Sequence, residues 1–135
     1  MGDEWGGGTD GRLVPLVMVQ LWDPKLAAAE VRRNAARGNH AVTFSENPAG
    51  LGMPSIHTDE WDPLFAACCE SGTVLCCHVG SSSKSASTSP GAPAPAPMNL
   101  SAVRAIDTPR QPMWAAVRPR FPHLPSPLTR GRAGA

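Results

Sequence analysis

The chain has 135 residues, enough for one ordinary domain, and its charge is divided between two unlike parts. Residues 1–84 carry ten Asp and Glu against six Lys and Arg, whereas residues 85–135 carry six Arg and a single Asp. We expect neither a secretory signal peptide nor a membrane association, because the start is acidic and glycine-rich and no apolar run approaches the ~18 residues of a membrane span.

Residues 1–11 are rich in glycine and predict a disordered N-terminus. The apolar run "RLVPLVMVQLW" then predicts a strand buried on both faces, as in a parallel sheet. A helix follows in "WDPKLAAAEVRRNAARG", where Asp23 can cap it, Pro24 suits its first position and Gly38 ends it. The second strand is "HAVTFSE", and "NPAGLGMPSIH" after it predicts a loop.

The tripeptide Trp-Asp-Pro occurs twice, starting at Trp22 and at Trp61. Its second copy opens "WDPLFAACCESG", which repeats the first pattern of an aspartate cap, a proline, an alanine-rich body and a glycine stop. The third strand is then "TVLCCHVG". Alternating strands and helices favour parallel strands with right-handed crossovers, so we predict an α/β layer fold, either a barrel or an open doubly wound sheet.

Beyond the third strand the regular pattern is lost. Residues 85–135 hold ten of the fifteen prolines and predict a low-complexity, disordered tail, apart from a short helix around "MNLSAVRAI". The predicted organisation is therefore a disordered start at 1–11, an α/β domain at 12–84 and this tail. The arginines of the tail alternate with proline instead of clustering, so we expect no nucleic-acid binding.

Four cysteines form two adjacent pairs, Cys68–Cys69 and Cys76–Cys77. A secreted disulfide framework spreads its cysteines through loops, and a structural zinc site spaces paired cysteines by about two to four residues. Adjacent side chains on a strand or a helix point in different directions. We therefore predict reduced thiols that pack as small apolar groups, in a cytoplasmic protein.

A histidine stands near the end of the third strand. Parallel α/β sheets bind ligands at the carboxyl ends of their strands, and His78 lies there, just before Gly80 and a run of serines. Alternation places it on the same face as Val74 and Cys76. A neutral imidazole at this place is a suitable metal ligand, while the simpler alternative is a ring that hydrogen-bonds a loop carbonyl.

Other motifs do not predict chemistry. "SSSK" at residues 81–84 has the spacing of serine acyl-enzymes without their partner motifs, and "GSSSKS" lacks the second glycine of a phosphate-binding loop. The acidic cluster at 57–62 is typical of a helix start, which attracts negative charge. Glu46, at the end of the second strand, is better placed for a function but stands alone.

Residues 12–84 as a block resemble the metal-dependent amidohydrolases, in the branch related to aminocarboxymuconate-semialdehyde decarboxylase. The resemblance rests on the order of the elements and on "HVGSSS". It implies a partial (β/α)8 TIM barrel of about three βα units, with His78 as the fifth-strand ligand of a divalent metal, usually zinc. The implied reaction on a small-molecule substrate is attack by a metal-activated water on a carbonyl-type carbon, or metal-assisted loss of carbon dioxide.

The chain also departs from that family, because it contains no His-x-His pair and a barrel needs at least about 200 residues. A catalytic zinc has about three protein ligands, so we expect a truncated hydrolase or decarboxylase that is inactive alone and carries an out-of-frame tail. The competing interpretation is a small non-catalytic α/β protein that binds a partner or associates with itself through exposed sheet edges.

Overall fold

A computed structural model describes residues 9–78 and 117–125, which form a small parallel sheet with two helices. The sheet has three strands in the order β1-β2-β3, and both pairs are parallel. The predicted α/β class and the alternation of strands and helices are confirmed. The elements, in chain order, are β1 (Val17–Met18), α1 (Pro24–Ala35), β2 (Ala41–Ser45), a short 3-10 helix (Pro48–Leu51), α2 (Asp62–Ser71) and β3 (Val74–His78).

Helix α1 begins as its sequence predicts. The Asp23 carboxylate accepts hydrogen bonds from the amides of Lys25 at 2.8 Å and Leu26 at 3.1 Å, so two of the unpaired amides of the first turn are satisfied. Pro24 occupies the first helical position, where no amide is needed. The helix ends with Arg32 and Arg33 in its last turn, where positive charge suits the helix dipole.

Helix α2 begins differently, and the predicted aspartate cap is wrong here. Asp62 is the first helical residue, and Trp61 before it makes no side-chain cap bond. The Trp61 indole instead donates a hydrogen bond to the Pro54 carbonyl at 3.0 Å, which fixes the loop in front of the helix. The predicted glycine stop is confirmed, since Gly72 adopts a left-handed conformation with φ 65°.

The core lies between one face of the sheet and the two helices. Val42, Phe44 and Leu75 from the strands are buried in one cluster with side chains of both helices. Phe44 meets the Trp61 ring edge-on, with ring centroids 5.0 Å apart. By strand alternation, Thr43 is on the opposite face, outside this cluster.

The prediction that the first strand is buried on both faces is wrong. Strand β1 has only two residues and forms an edge of the described sheet. Met18 is 81% exposed, and Leu16 just before the strand is also exposed. The apolar run predicts a fully buried strand, but among the described residues only β2 pairs with it, so one edge and one face meet solvent.

The predicted disorder of the tail does not hold for residues 117–125. Val117 is 1% and Leu124 3% exposed, and the Phe121 ring lies against Phe65 with centroids 5.8 Å apart. The many prolines of this segment suggested disorder, but its apolar side chains find partners in the core. The other tail residues, with the predicted helix near 98–106, and residues 1–8 lie outside the described residues.

None of the helices within residues 9–78 and 117–125 combines the length and the apolar character that a membrane crossing requires.

Candidate binding site at the carboxyl edge of the sheet

A pocket of about 380 Å³ opens where β1 and β2 end. The strands are parallel, so their carboxyl ends meet at one edge, and the segments that follow them diverge toward different elements. That divergence leaves space between the chain after β1 and the chain after β2. The pocket is lined by Met18, Val19, Leu21, Thr43, Phe44, Ser45 and Leu51.

The wall after β2 is held by local hydrogen bonds. The Ser45 hydroxyl accepts a bond from the Asn47 amide at 3.2 Å, and the Asn47 side chain accepts one from the Gly50 amide at 3.1 Å. These bonds fix the short 3-10 helix that carries Leu51. Gly52 ends this helix with φ 77°, a left-handed conformation that favours glycine. The position of Leu51 in the pocket is therefore fixed by hydrogen bonds within its own loop.

The chemistry of the pocket is mainly apolar. Aliphatic and aromatic side chains supply most of the lining, and the hydroxyl of Thr43 adds a polar group. The pocket falls in the size range of small-molecule sites, about 300–1,000 Å³.

The predicted position of His78 is confirmed for its main chain. His78 is the last residue of β3 and pairs in register with Ser45, the last residue of β2. Both strands therefore end at the same edge of the sheet, next to the pocket residue Ser45. The side chain of His78 and the "VGSSS" that follows lie outside what the structure describes, so the role of His78 as a metal ligand stays a prediction.

The polar residues at 57–62, for which the sequence predicts an acidic helix start and not a site, lie just before and at the start of α2. Among the residues that the structure describes, no three His, Cys, Asp or Glu side chains form a group that could hold a metal ion. His57 and Asp59 are exposed, and Asp62 forms an ion pair with Arg120 at 2.6 Å. The described residues therefore do not fit a catalytic zinc, for which about three protein ligands are needed.

None of the four cysteines forms a disulfide within the described part of the chain; Cys68 is fully buried, and Cys77 is half-buried. Burial raises the pKa of Cys68 to about 12, with a further rise from Cys69. Burial also raises the pKa of Cys77 to about 12, with smaller contributions from Cys76 and Glu46. The predicted packing role is confirmed for Cys68, which is part of the core cluster.

We expect Cys68 to resist alkylation by iodoacetamide in the folded protein at about pH 8, because the thiolate is the reactive form and a pKa of about 12 leaves almost none of it. The less buried Cys76 should react faster. Tandem mass spectrometry, which assigns each modification to one cysteine, measures both rates against time; this is needed because trypsin leaves all four cysteines in one peptide, residues 38–84. Unfolding in urea should abolish the difference, and equal rates in the folded protein would contradict the assignment.

Sequence reasoning did not find the pocket, because its lining comes from three separate segments whose apolar residues carry no motif. Comparison with known protein families gives no assignment: no family model matches the chain, and no curated protein matches it either. The amidohydrolase resemblance of residues 12–84 therefore remains a prediction that rests on the order of elements and on "HVGSSS". A proposal about function therefore rests on the pocket at the carboxyl edge of the sheet.

Proposed function

We propose that this chain is a small non-catalytic α/β binding module that holds a small, mainly apolar molecule at the carboxyl edge of its parallel sheet. The pocket of about 380 Å³ at the ends of β1 and β2 carries this proposal. Ligands of open α/β sheets bind outside the carboxyl ends of the strands, and the pocket has the size and the mostly apolar lining of a small-molecule site.

The lining indicates the chemical class of the ligand. Met18, Leu21 and Leu51 offer a surface for an aliphatic or aromatic body. Thr43 favours a ligand that also carries a hydrogen-bonding group, such as a hydroxyl or an amide. None of the described residues that line the pocket is ionic, which disfavours a strongly charged molecule.

The module derives, in this proposal, from an amidohydrolase-like (β/α)8 barrel. Three parallel strands joined by two helices support this origin. Met18, Thr43 and Cys76 pair in register across the sheet, on the face away from the core cluster. In a closed barrel that face points inward, so a partial barrel accounts for apolar and small polar side chains on an uncovered face.

A catalytic alternative is a metal-dependent hydrolase or decarboxylase with a divalent metal, zinc by family resemblance. It is supported by His78 at the carboxyl end of β3, in register with Ser45. The described residues supply no group of three ligands, so we favour the binding module. Calorimetric titration with zinc separates the two: stoichiometric binding that is lost in His78→Ala favours the catalytic alternative, and folded protein that takes up no zinc favours the module.

Self-association is a second way in which the module can bind. The outer edge of β3 is already partly paired within the chain, because the Leu75 amide donates a hydrogen bond to the Pro125 carbonyl at 2.9 Å. At the opposite edge of the sheet, the residues just before β1 include Val14 and Leu16, which are apolar and exposed. We therefore expect any strand pairing between two copies of the chain to occur at the β1 edge.

A charge in the pocket tests the proposed function. We expect Nile red, a neutral apolar fluorescent probe, to bind the wild-type protein saturably, and Met18→Arg to weaken binding at least about tenfold, because it replaces apolar lining with a hydrated charge that an apolar probe would have to displace. Met18 is exposed, so the fold should survive. Fluorescence titration measures the affinity.

Leu26→Arg is the matched control. It adds the same charge at another exposed apolar side chain, outside the pocket lining. The control should bind the probe as the wild type does. Equal losses in the two variants, or probe fluorescence that never saturates, would refute a site at the carboxyl edge.

A further inference from the structure

We propose that the surface between helix α2, the loop before it and the outer edge of β3 is a peptide-binding groove, and that residues 117–125 are its tethered ligand. The groove is formed by Ile56, Thr58, Asp62, Phe65 and Leu75. It shares no residue with the pocket at the carboxyl edge, so it is a second binding surface.

An arginine anchors the segment in the groove. The Arg120 guanidinium donates to the Asp62 carboxylate at 2.6 Å, to the Thr58 carbonyl at 3.0 Å and to the Ile56 carbonyl at 3.4 Å. A carboxylate beside two carbonyls accepts the planar fork of an arginine, which has several donors, better than the point charge of a lysine. The Arg120 and Asp62 side chains are 29% and 35% exposed, so the pair is partly shielded from water.

Apolar side chains and the main chain complete the docking. Phe121 packs edge-on against Phe65 of α2, while Val117 and Leu124 are buried in the core cluster. The Pro125 carbonyl accepts from the Leu75 amide on the outer edge of β3. A charged anchor, apolar anchors and a main-chain bond at a strand edge are the interactions by which protein domains bind extended peptides.

The segment has the properties of a separable ligand. Residues 79–116 separate it from β3, so it docks from a distance along the chain. Hydrogen bonds within the segment close its turns. The main-chain amides of Arg120 and Phe121 donate to the Val117 carbonyl, and the Leu124 amide donates to the Phe121 carbonyl. Its prolines, at 119, 122 and 125, restrict the free peptide and so lower the entropy cost of binding. The groove thus fits a short peptide with the pattern Arg-Phe-Pro-x-Leu-Pro.

The test supplies the segment as a separate molecule. A fluorescent peptide of residues 115–127 is titrated into the full chain and into the full chain with Arg120→Ala and Phe121→Ala, and binding is followed by fluorescence anisotropy. In the wild type the tethered copy competes at about a millimolar effective concentration. We therefore expect the peptide to bind the double variant at least about tenfold more tightly than the wild type.

Two controls define the specificity. A peptide with Arg120→Ala should bind the double variant at least about tenfold more weakly, because it lacks the charge-assisted bonds. Adding Asp62→Ala on the groove side should weaken the unaltered peptide similarly, whereas adding Asp59→Ala, an exposed neighbouring carboxylate, should not. Equal binding to wild type and double variant, or no binding to either, overturns the proposal. Loss of the far-UV circular dichroism of the double variant also overturns it, because the segment is then an inseparable part of the core.

Discussion

Replacing Trp61 with alanine should lower the free energy of unfolding by about 3–5 kcal/mol. Trp61 is fully buried, with 0% of its surface exposed, and its ring meets Phe44 of the central strand edge-on at 5.0 Å. Alanine removes most of this packing and leaves a cavity that a small core has little means to fill. It also deprives the Pro54 carbonyl of the indole hydrogen bond at 3.0 Å.

The matched control is Trp22→Ala, which removes the same side chain from the other Trp-Asp-Pro tripeptide. Trp22 is 75% exposed, so we expect a change within about 0.5 kcal/mol. Urea denaturation followed by far-UV circular dichroism measures both variants without relying on tryptophan fluorescence. Similar losses of unfolding free energy in the two variants would show that the buried Trp61 stabilises the fold no more than the exposed Trp22 does.

The two tripeptides show how far local sequence predicts this fold. Both predict a helix start capped by aspartate, and a helix does begin at each of them. Asp23 caps α1, but the Asp62 carboxylate is bound to Arg120, which is 58 residues away in sequence. Local patterns set where the helices begin, whereas a distant partner decides what each side chain does.

The order of strands and helices was predictable because it depends on periodicity and on helix start and stop signals. The exposure of β1 was not, since an apolar run looks the same whether or not further layers cover it. Met18 is exposed because it belongs to β1, an edge strand for which β2 is the only described neighbour. The number of layers around a strand is a tertiary property, which a single run of residues does not encode.

The candidate site was predictable only in part. A histidine at the end of a parallel strand can be read from sequence, and the main chain of His78 lies at that end. The pocket brings Leu51, from a glycine- and proline-rich loop, next to Met18 and Thr43 from two strands. No spacing rule links residues that meet only when the loop folds back, so sequence patterns alone did not reveal it.

Replacing Arg120 with alanine should lower the free energy of unfolding of the full chain by about 2 kcal/mol. The change removes a partly shielded ion pair with Asp62 and two bonds to the carbonyls of the loop before α2. It also weakens the docking of the neighbouring Phe121 on Phe65. Arg118→Ala is the matched control, because Arg118 is exposed two residues away, and its effect should stay within about 0.5 kcal/mol.

A double-mutant cycle isolates the contribution of the ion pair from that of the rest of the segment. Urea denaturation of Arg120→Ala, Asp62→Ala and the combined variant should give a coupling free energy of about 1 kcal/mol or more, because each single change leaves the other partner without its counter-charge. Salt should reduce the coupling, but only partly, since both side chains are mostly covered. Additive losses, with no coupling, would mean that the apolar contacts of Val117, Phe121 and Leu124 hold the segment and that the arginine merely lies beside Asp62.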